Sequence, residues 1–491
     1  MIEKIKRYRT ELRTLSLLEK PLLILPVAVW FSYYPNLTLG RFSSTNLEVS
    51  IVLLFIALVA LISLPAVWAN RKVLVQNRAV WLSGAFVAWN CLSVVWAINP
   101  VRGLLHSSVW LLLWLCFLAM LSAKNKRTVV PMMGSVFVGS AALMSAIALA
   151  QVVYGAWVDW GLCAGCLARG FGFVRPSALA AEPQFLGSLL IAPIIMLLYR
   201  TLRGGVGYLE KGLLVLMTMA LYSTLSRGAI YALLLAAVIL IVIVWRSYAV
   251  PLRRAVVVPT IVVLLSFGMG MLWHGLFTQL NPRVTDGCYD AVAKSVNHLS
   301  LGKISLPKPK QQPAQETPLP TGGEIHTPTR AMFDGYVQRS TNERTILNDR
   351  AIKAWSRTAH TTVAGVGAGS AGRAMYQADP SSGWELEIVQ NEYLSTLLEL
   401  GIVGVVLFVA VLFGLFRVVR CRPWLWAILV GFIVQWNFFS GLPNALHIYL
   451  VCGVMVVYCS MPHAVSAGGR AGDGLRLSSK QDSPESAILK A

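Results

Sequence analysis

Arg227 lies in Ser223-Thr224-Leu225-Ser226-Arg227-Gly228, between two apolar half-spans. A charge in that position is costly and usually functional. Its planar fork suits a phosphate, and Ser226 and Gly228 let hydroxyl and backbone donors approach an anion. The bland alternative is an arginine that snorkels to anchor a helix end. Arg344, in Asn342-Glu343-Arg344-Thr345, and Arg175, in Phe173-Val174-Arg175-Pro176, are unremarkable alone. Glu182 stands in Glu182-Pro183-Gln184 at the mouth of a span, where it serves either as a base or as a helix-start charge favoured by the dipole. Glu387, Gln390 and Asn391 follow the i, i+3, i+4 spacing and share a helical face. That set puts a carboxylate and two amides at a helix start, where they act on a substrate or simply cap. No cluster has metal-ligand spacing. Of seven scattered histidines, His298, His326 and His360 fall in one polar block, where a lone histidine is ordinarily solvated or structural. Gly367 to Gly372 fits the dinucleotide fingerprint without the βαβ unit that it needs, so a close-packed turn or a backbone anion nest is expected.

The elements that carry these residues are membrane helices. Apolar residues make up 56% of the 491 and charged residues 13%, against roughly a quarter charged in soluble domains. Continuous apolar runs of roughly 20 residues fit helices that cross a bilayer, and the lack of alternation argues against a barrel. The net charge of +20 suggests nucleic acid at first sight. However, the clustered Lys and Arg fall in short connectors on one side, as the positive-inside rule requires, and no nucleic-acid partner is expected. Met1 to Arg13 is basic and amphipathic without a small-residue cleavage site, so no cleavable signal peptide is expected.

Twelve spans are expected, at 16–36, 48–69, 79–97, 103–122, 128–154, 184–199, two within 212–245, then 255–276, 391–416, 423–439 and 441–460. The chain divides into helices 1–9 (residues 1–276), a large polar block (277–390), helices 10–12 (391–460) and a Gly/Ser-rich tail (461–491) expected to be disordered. Within the block, 281–330 is a proline-rich flexible insert. Residues 340–390 read as a folded helical part, with Ser340, Thr341 or Asn342 as a cap and Leu347, Ala351 and Trp355 on one face. The basic connectors put both termini in the cytoplasm and the block outside, in the periplasm of a Gram-negative cell. Five cysteines in or beside spans read as small apolar residues, while Cys163, Cys166 and Cys288 lie outside, where a disulfide among them is expected.

In order along the chain come Ser226-Arg227-Gly228, Glu343-Arg344, Gly365-Val366-Gly367-Ala368-Gly369, Gln390-Asn391-Glu392-Tyr393-Leu394 and Leu398-Glu399-Leu400-Gly401. This order resembles the O-antigen ligase/polymerase superfamily of bacterial membrane glycosyltransferases over roughly 170–405. The resemblance implies an all-α polytopic, GT-C-like fold in the inner membrane and no metal or cofactor. It implies an undecaprenyl diphosphate-linked glycan as donor and a glycan or lipid A-core as acceptor, with membrane lipids and a chain-length regulator as further partners. By motif, Arg227 and Arg344 match the arginines that hold the diphosphate. The family usually has His-Asn where this chain has Gln390-Asn391, and a glutamine takes no proton at useful pH. Glu387, Glu182 and His360 are the alternative bases, or the leaving group needs little base help. Arg175 followed by Glu182-Pro183 resembles the polymerase branch. The expected activity is therefore a polymerase, with Arg227, Arg344, Glu387 and Glu182 catalytic and Arg175, Ser226, Gln390, Asn391 and His360 at the substrate. A ligase is the same-class rival. A lipid-linked oligosaccharide transporter is the rival of another class, and it should show internal repeats and midplane charges.

Overall fold

The computed structural model describes residues 12–16, 19–31, 36–42, 45–157, 168–170, 173–180, 182–204, 206–248, 250–279, 293, 296–297, 303–304, 336–380, 388–439 and 446–461. The proline-rich insert, Glu387, Cys163, Cys166, Cys288 and residues 462–491 of the tail lie outside the described residues, apart from a few insert positions.

The helices in chain order are α1 (Pro21–Phe31), α2 (Ile51–Ala69), α3 (Arg71–Val75), α4 (Arg78–Ser93), α5 (Pro100–Ser122), α6 (Lys126–Trp157), α7 (Pro183–Arg203), α8 (Tyr208–Ser223) and α9 (Arg227–Ser247). They continue as α10 (Leu252–Gln279), α11 (Tyr336–Trp355), α12 (Ala359–Ala364), α13 (Ala371–Ala378), α14 (Glu392–Val418), α15 (Leu425–Gln435) and α16 (Leu446–Ser460). Among the described residues, eight helices are long and apolar enough to cross a membrane: α2, α4, α5, α6, α7, α9, α10 and α14. The remaining expected spans fall on the shorter α1, α8, α15 and α16. The protein is an all-α polytopic membrane protein, decorated by two small hairpins.

One hairpin corrects the expected start of the second span. Residues 36–50 pair as antiparallel β1 (Asn36–Phe42) and β2 (Thr45–Ser50), so the helix begins at Ile51 rather than 48. The other hairpin, β3 (Ala168–Gly170) with β4 (Phe173–Arg175), ends at a candidate arginine. Helix α7 is the hub. Pro183 at its first position fits a residue with no N–H to spare. From Phe185 to Leu202 nearly every side chain is buried. Helices α8, α9 and α15 pack around it, and Gly187 and Gly431 allow close approach: a Cβ on Gly187 would lie 2.6 Å from that of Ala229, and one on Gly431 2.9 Å from Ile191 Cγ2.

The tenth span is not one straight crossing. Gly401 inside α14 has φ +66° and ψ −166°, a backbone open chiefly to glycine. In a straight helix Tyr393 and Phe408 would be about 22 Å apart along the axis, yet their ring centroids are 6.3 Å apart. The helix therefore turns sharply at Gly401. Trp89 Nε1 donates to the Leu400 carbonyl (3.0 Å), one of the groups freed by the break.

Above the break sits the folded part of the polar block. Its helix α11 starts at Tyr336, which places Ser340, Thr341 and Asn342 inside the helix and corrects the expected cap. Ala351 is buried, with Leu347 and Trp355 packed beside it, against Ala371, Met375, Val389 and Leu398. The glycine loop docks this unit onto the bundle. Val366 and Gly367 donate to the carbonyls of Leu398 and Glu399 (2.9 Å each), Ala368 donates to Ser93 Oγ (3.0 Å), and Ser370 Oγ accepts from Asn99 N (3.1 Å). Those amides are satisfied by protein, so the loop is the close-packed turn of the two alternatives. Gly367, at φ +91°, would put a Cβ 2.3 Å from Ala97 Cα.

A third correction concerns the cysteines. Cys421 and Cys459, read from sequence as small apolar residues, form a disulfide, because α14 and α16 bring their Cα atoms to 6.1 Å.

Candidate active site

The turn between α8 and α9 is built to present Arg227. Thr224 Oγ1 accepts from Ser226 N (3.2 Å), and Leu225 takes φ +50° between them. A branched residue in the left-handed region is strained, and such strain collects at functional sites. Ser226 is the N-cap residue of α9, yet its hydroxyl makes no capping bond. Arg227 is the first residue of the helix and is buried. Gly228 leaves room for Phe438, just beyond α15: a Cβ there would lie 2.5 Å from the Phe438 ring.

Arg344 approaches the same phenylalanine from above. Its guanidinium carbon stands 6.0 Å from the Phe438 ring centroid, at the limit of a cation–π contact. Its Nε donates to Gln390 Oε1 (3.1 Å). Phe438 is thus a shelf against which the backbone beside Arg227 packs and which Arg344 also reaches. Gln390 is a neutral acceptor that orients the Arg344 cation.

Arg175 joins the turn directly, its Nε donating to the Thr224 carbonyl (2.8 Å). Its loop is clamped by Gln151 of α6. Gln151 Oε1 accepts from Ser177 N (3.1 Å) and Ala178 N (2.8 Å), and Nε2 donates to Ala178 O (3.0 Å). Ala178 is the second non-glycine residue with positive φ, at +52°. Glu182, just before α7, completes the ring. Its carboxylate accepts from Gln184 Nε2 (2.8 Å). The side chain reaches solvent, but protein crowds it enough that desolvation raises its pKa above the usual carboxylate range. Arg175, Gln184 and Arg344 pull it down without cancelling that rise.

The structure therefore brings together Arg227, Ser226, Arg175, Glu182, Arg344 and Gln390. Asn391 is used locally: its Oδ1 caps α14 by accepting from Tyr393 N (3.0 Å) and Leu394 N (3.1 Å). His360 sits elsewhere, exposed on α12 with its ring edge-on to Trp96 (5.8 Å). Glu387 lies outside the described residues. Among the described residues no group of three His, Cys, Asp or Glu side chains could hold a metal ion.

Three site-building residues escaped sequence reasoning. Phe438 gives no signal in a segment full of aromatics. Gln151, a buried amide inside an apolar span, could have been flagged as an intramembrane polar residue. Glu392 lies in a quoted motif, but its partner Tyr449, whose hydroxyl donates to Glu392 Oε1 (2.5 Å), is 57 residues away. Glu392 N also donates to Trp436 O (2.8 Å), which pins the start of α14 beside the shelf.

No curated protein matches the chain significantly. Residues 212–409, from α8 through the break in α14, match the family model described as O-antigen ligase. This region contains Arg227, Arg344 and Gln390 in the expected order, and over it the chain is similar to the O-antigen ligase family, consistent with the O-antigen ligase/polymerase superfamily.

Proposed function

We propose that the protein is an inner-membrane glycosyltransferase that polymerises undecaprenyl diphosphate-linked glycan repeats at the periplasmic face. The observation that carries this reading is the chain of contacts that links three arginines from distant parts of the sequence. Gly228, next to Arg227, packs against Phe438, Arg344 reaches the same ring, and Arg175 is tied to the Arg227 turn. Three guanidiniums suit a pyrophosphate leaving group and would neutralise its developing charge in place of a metal ion. The start of α9 adds the positive end of a helix dipole beside Arg227.

Glu182 is the base in this proposal. A carboxylate with raised proton affinity, in reach of the arginines, can take the acceptor hydroxyl proton as the glycosyl carbon leaves the diphosphate. The acceptor oxygen forms the new glycosidic bond, the bond from the glycosyl carbon to the diphosphate oxygen breaks, and the lipid diphosphate departs with its electron pair. Arg175 and Glu182 favour polymerase over ligase, because both belong to the recess and both carry the polymerase-branch resemblance.

The test is reconstitution of the purified protein with lipid-linked repeats alone. Lengthening of the glycan without any lipid A-core supports a polymerase. Transfer that begins only when lipid A-core is added would make the protein a ligase. Arg227→Ala should cut turnover by about 10²–10³, the range for losing one preorganised donor to a developing anion. Full activity from that variant would remove the diphosphate assignment.

A further inference from the structure

The proposed chemistry leaves one cavity in the bundle unused. It lies between α1, α5, α6, α7, α15 and α16 and holds about 840 Å³ of space free of atoms, its open mouth included. A water molecule's share of liquid volume is about 30 Å³, so the space suits a chain rather than a single solvent molecule. Its top is His447, whose Nε2 is hydrogen-bonded to Ser188 Oγ (2.8 Å). Ser188 follows Gly187, which packs against Thr224 and Ser226 of the Arg227 turn. Its bottom is Tyr458, on the same helix as His447. The two are separated by about 16 Å of helix axis, close to the hydrocarbon depth of one leaflet, about 15 Å.

The lining carries polar side-chain N or O atoms only on His447, Trp424 and Tyr458. His447 Nε2 is already bonded, and an ordered water needs roughly two to four polar partners, so hydrocarbon rather than water fills the space. Met120, Met133, Met196 and Met455 give it walls that adapt to a flexible apolar guest. Pro131, Gly134, Met196, Val451 and Val454 are half-buried, while the other lining residues are buried, so these five mark the mouth. Arg127, Pro131 and Gly134 follow the i, i+4, i+7 spacing on one face of α6, which sets the exposed Arg127 about 6 Å along the axis from the mouth. Lys124 and Lys126 lie in the same connector. The acid that touches this connector, Glu19, is buried and takes hydrogen bonds from Ser16 and Asn125, and the three cations outweigh it.

We infer that the cavity binds one acyl chain of an anionic phospholipid from the cytoplasmic leaflet, with the lipid phosphate at Arg127. The basic connector faces that leaflet under the positive-inside rule and has the opposite charge to the headgroup. Depth favours this occupant over the polyprenyl tail of a donor held at the arginines. Met196 at the mouth lies about 20 Å along α7 from Pro183, farther than the roughly 15 Å half-thickness of the hydrocarbon core. The mouth therefore opens into the half of the bilayer away from Arg227. A chain seated there would pack beneath His447 and support Ser188, and through Gly187 the Arg227 turn. The inference rests on the helices crossing the bilayer and not on glycosyl transfer.

The experiment reconstitutes the full chain in vesicles that contain a phosphatidylglycerol with a photoreactive diazirine at the end of one acyl chain, or the matching phosphatidylcholine. Labelled residues are then mapped by mass spectrometry. Label from phosphatidylglycerol should concentrate on cavity residues such as Leu450 and Met455 over the exposed Leu61 and Leu272. One basic residue at an anionic lipid shifts the bound population about fivefold. Arg127→Gln should therefore lower cavity labelling by about fivefold, and Arg127→Lys should keep most of it. Unchanged labelling of Leu61 and Leu272 in both variants guards against a folding defect. Even labelling of cavity and exposed residues, equal cavity labelling by the two lipids, or labelling indifferent to Arg127→Gln would each overturn the inference. Displacement of the cavity label by excess undecaprenyl phosphate, but not by unlabelled phosphatidylglycerol, would give the cavity to a polyprenyl chain and overturn it as well.

Discussion

Replacing Gly228 with alanine tests how the two principal arginines are coupled. The new Cβ would meet Phe438 Cγ, Cβ and Cδ2 at 2.5, 2.6 and 2.8 Å. Ordinary carbon contacts are about 3.5–4.0 Å, so the ring must retreat by about 1 Å. Overpacking of this kind costs about 1–3 kcal/mol, which a bundle of this size survives. The functional effect should be larger, because Phe438 is the shelf under Arg344, whose guanidinium sits 6.0 Å from its centroid. A misplacement of about 1 Å in a positioning group can cost on the order of 10²-fold in rate. Gly228→Ala should therefore insert and fold yet turn over about 10–100-fold more slowly, measured as glycan lengthening by reconstituted protein. Phe438→Ala removes the shelf and, with it, Cγ and Cδ2, two of the three clashing atoms, so adding Gly228→Ala to it should cost little beyond the loss from Phe438→Ala alone. The refuting result is additivity. If the double variant loses the product of the two single losses, the shelf does not transmit the clash and the packing argument fails.

Other outcomes follow from the same geometry. Glu182→Gln should abolish the acid limb of the pH–rate profile. In the parent protein that limb should lie above the ordinary carboxylate range, with activity falling as pH drops through the raised pKa and protonates the base. Gln151→Ala strips three backbone groups of their partner, at about 1–3 kcal/mol for each group left buried and unpaired. Because those groups hold the Arg175 loop, KM for the lipid donor should rise more than kcat falls in steady-state assays. Gly401→Ala forces a side chain onto φ +66° and to within 2.3 Å of Val363 O. It should lower the thermal unfolding midpoint of detergent-solubilised protein by several degrees, whereas alanine at Gly139, which meets nothing within 4 Å, should not.

Most of the bundle was legible because hydrophobic length is a one-dimensional signal. Runs such as Ile51–Ala69 and Arg227–Ser247 announce themselves without knowledge of their neighbours. The break at Gly401 was not legible, since a glycine in an apolar run is common and only its contact with Val363 and Gly365 shows that the helix must turn there. Arg227 could be read in advance because a charge in an apolar context is locally anomalous. Arg175 looked ordinary, and Glu182 stayed open between a base and a helix-start charge, because their setting comes from Thr224, Gln151 and Arg344 in other parts of the chain. Asn391 was left open between a substrate contact and a cap, and its Oδ1 caps α14. The Cys421–Cys459 pairing needed the tertiary meeting of two helices, which spacing alone does not encode.

The Phe438 shelf also sets a clock on biogenesis. Arg175 and Arg227 are made early, but Phe438, which the backbone beside Arg227 and the Arg344 guanidinium both approach, is supplied much later by the chain just past α15. At the roughly 5–20 residues per second of a ribosome, more than 10 s separate translation of Arg227 from that of Phe438. During that interval the nascent chain has its arginines without the ring that both the Arg227 turn and Arg344 pack toward. Donor lipid met by a half-inserted chain would find charge but no geometry, so turnover waits until the last helices have been threaded into the bilayer.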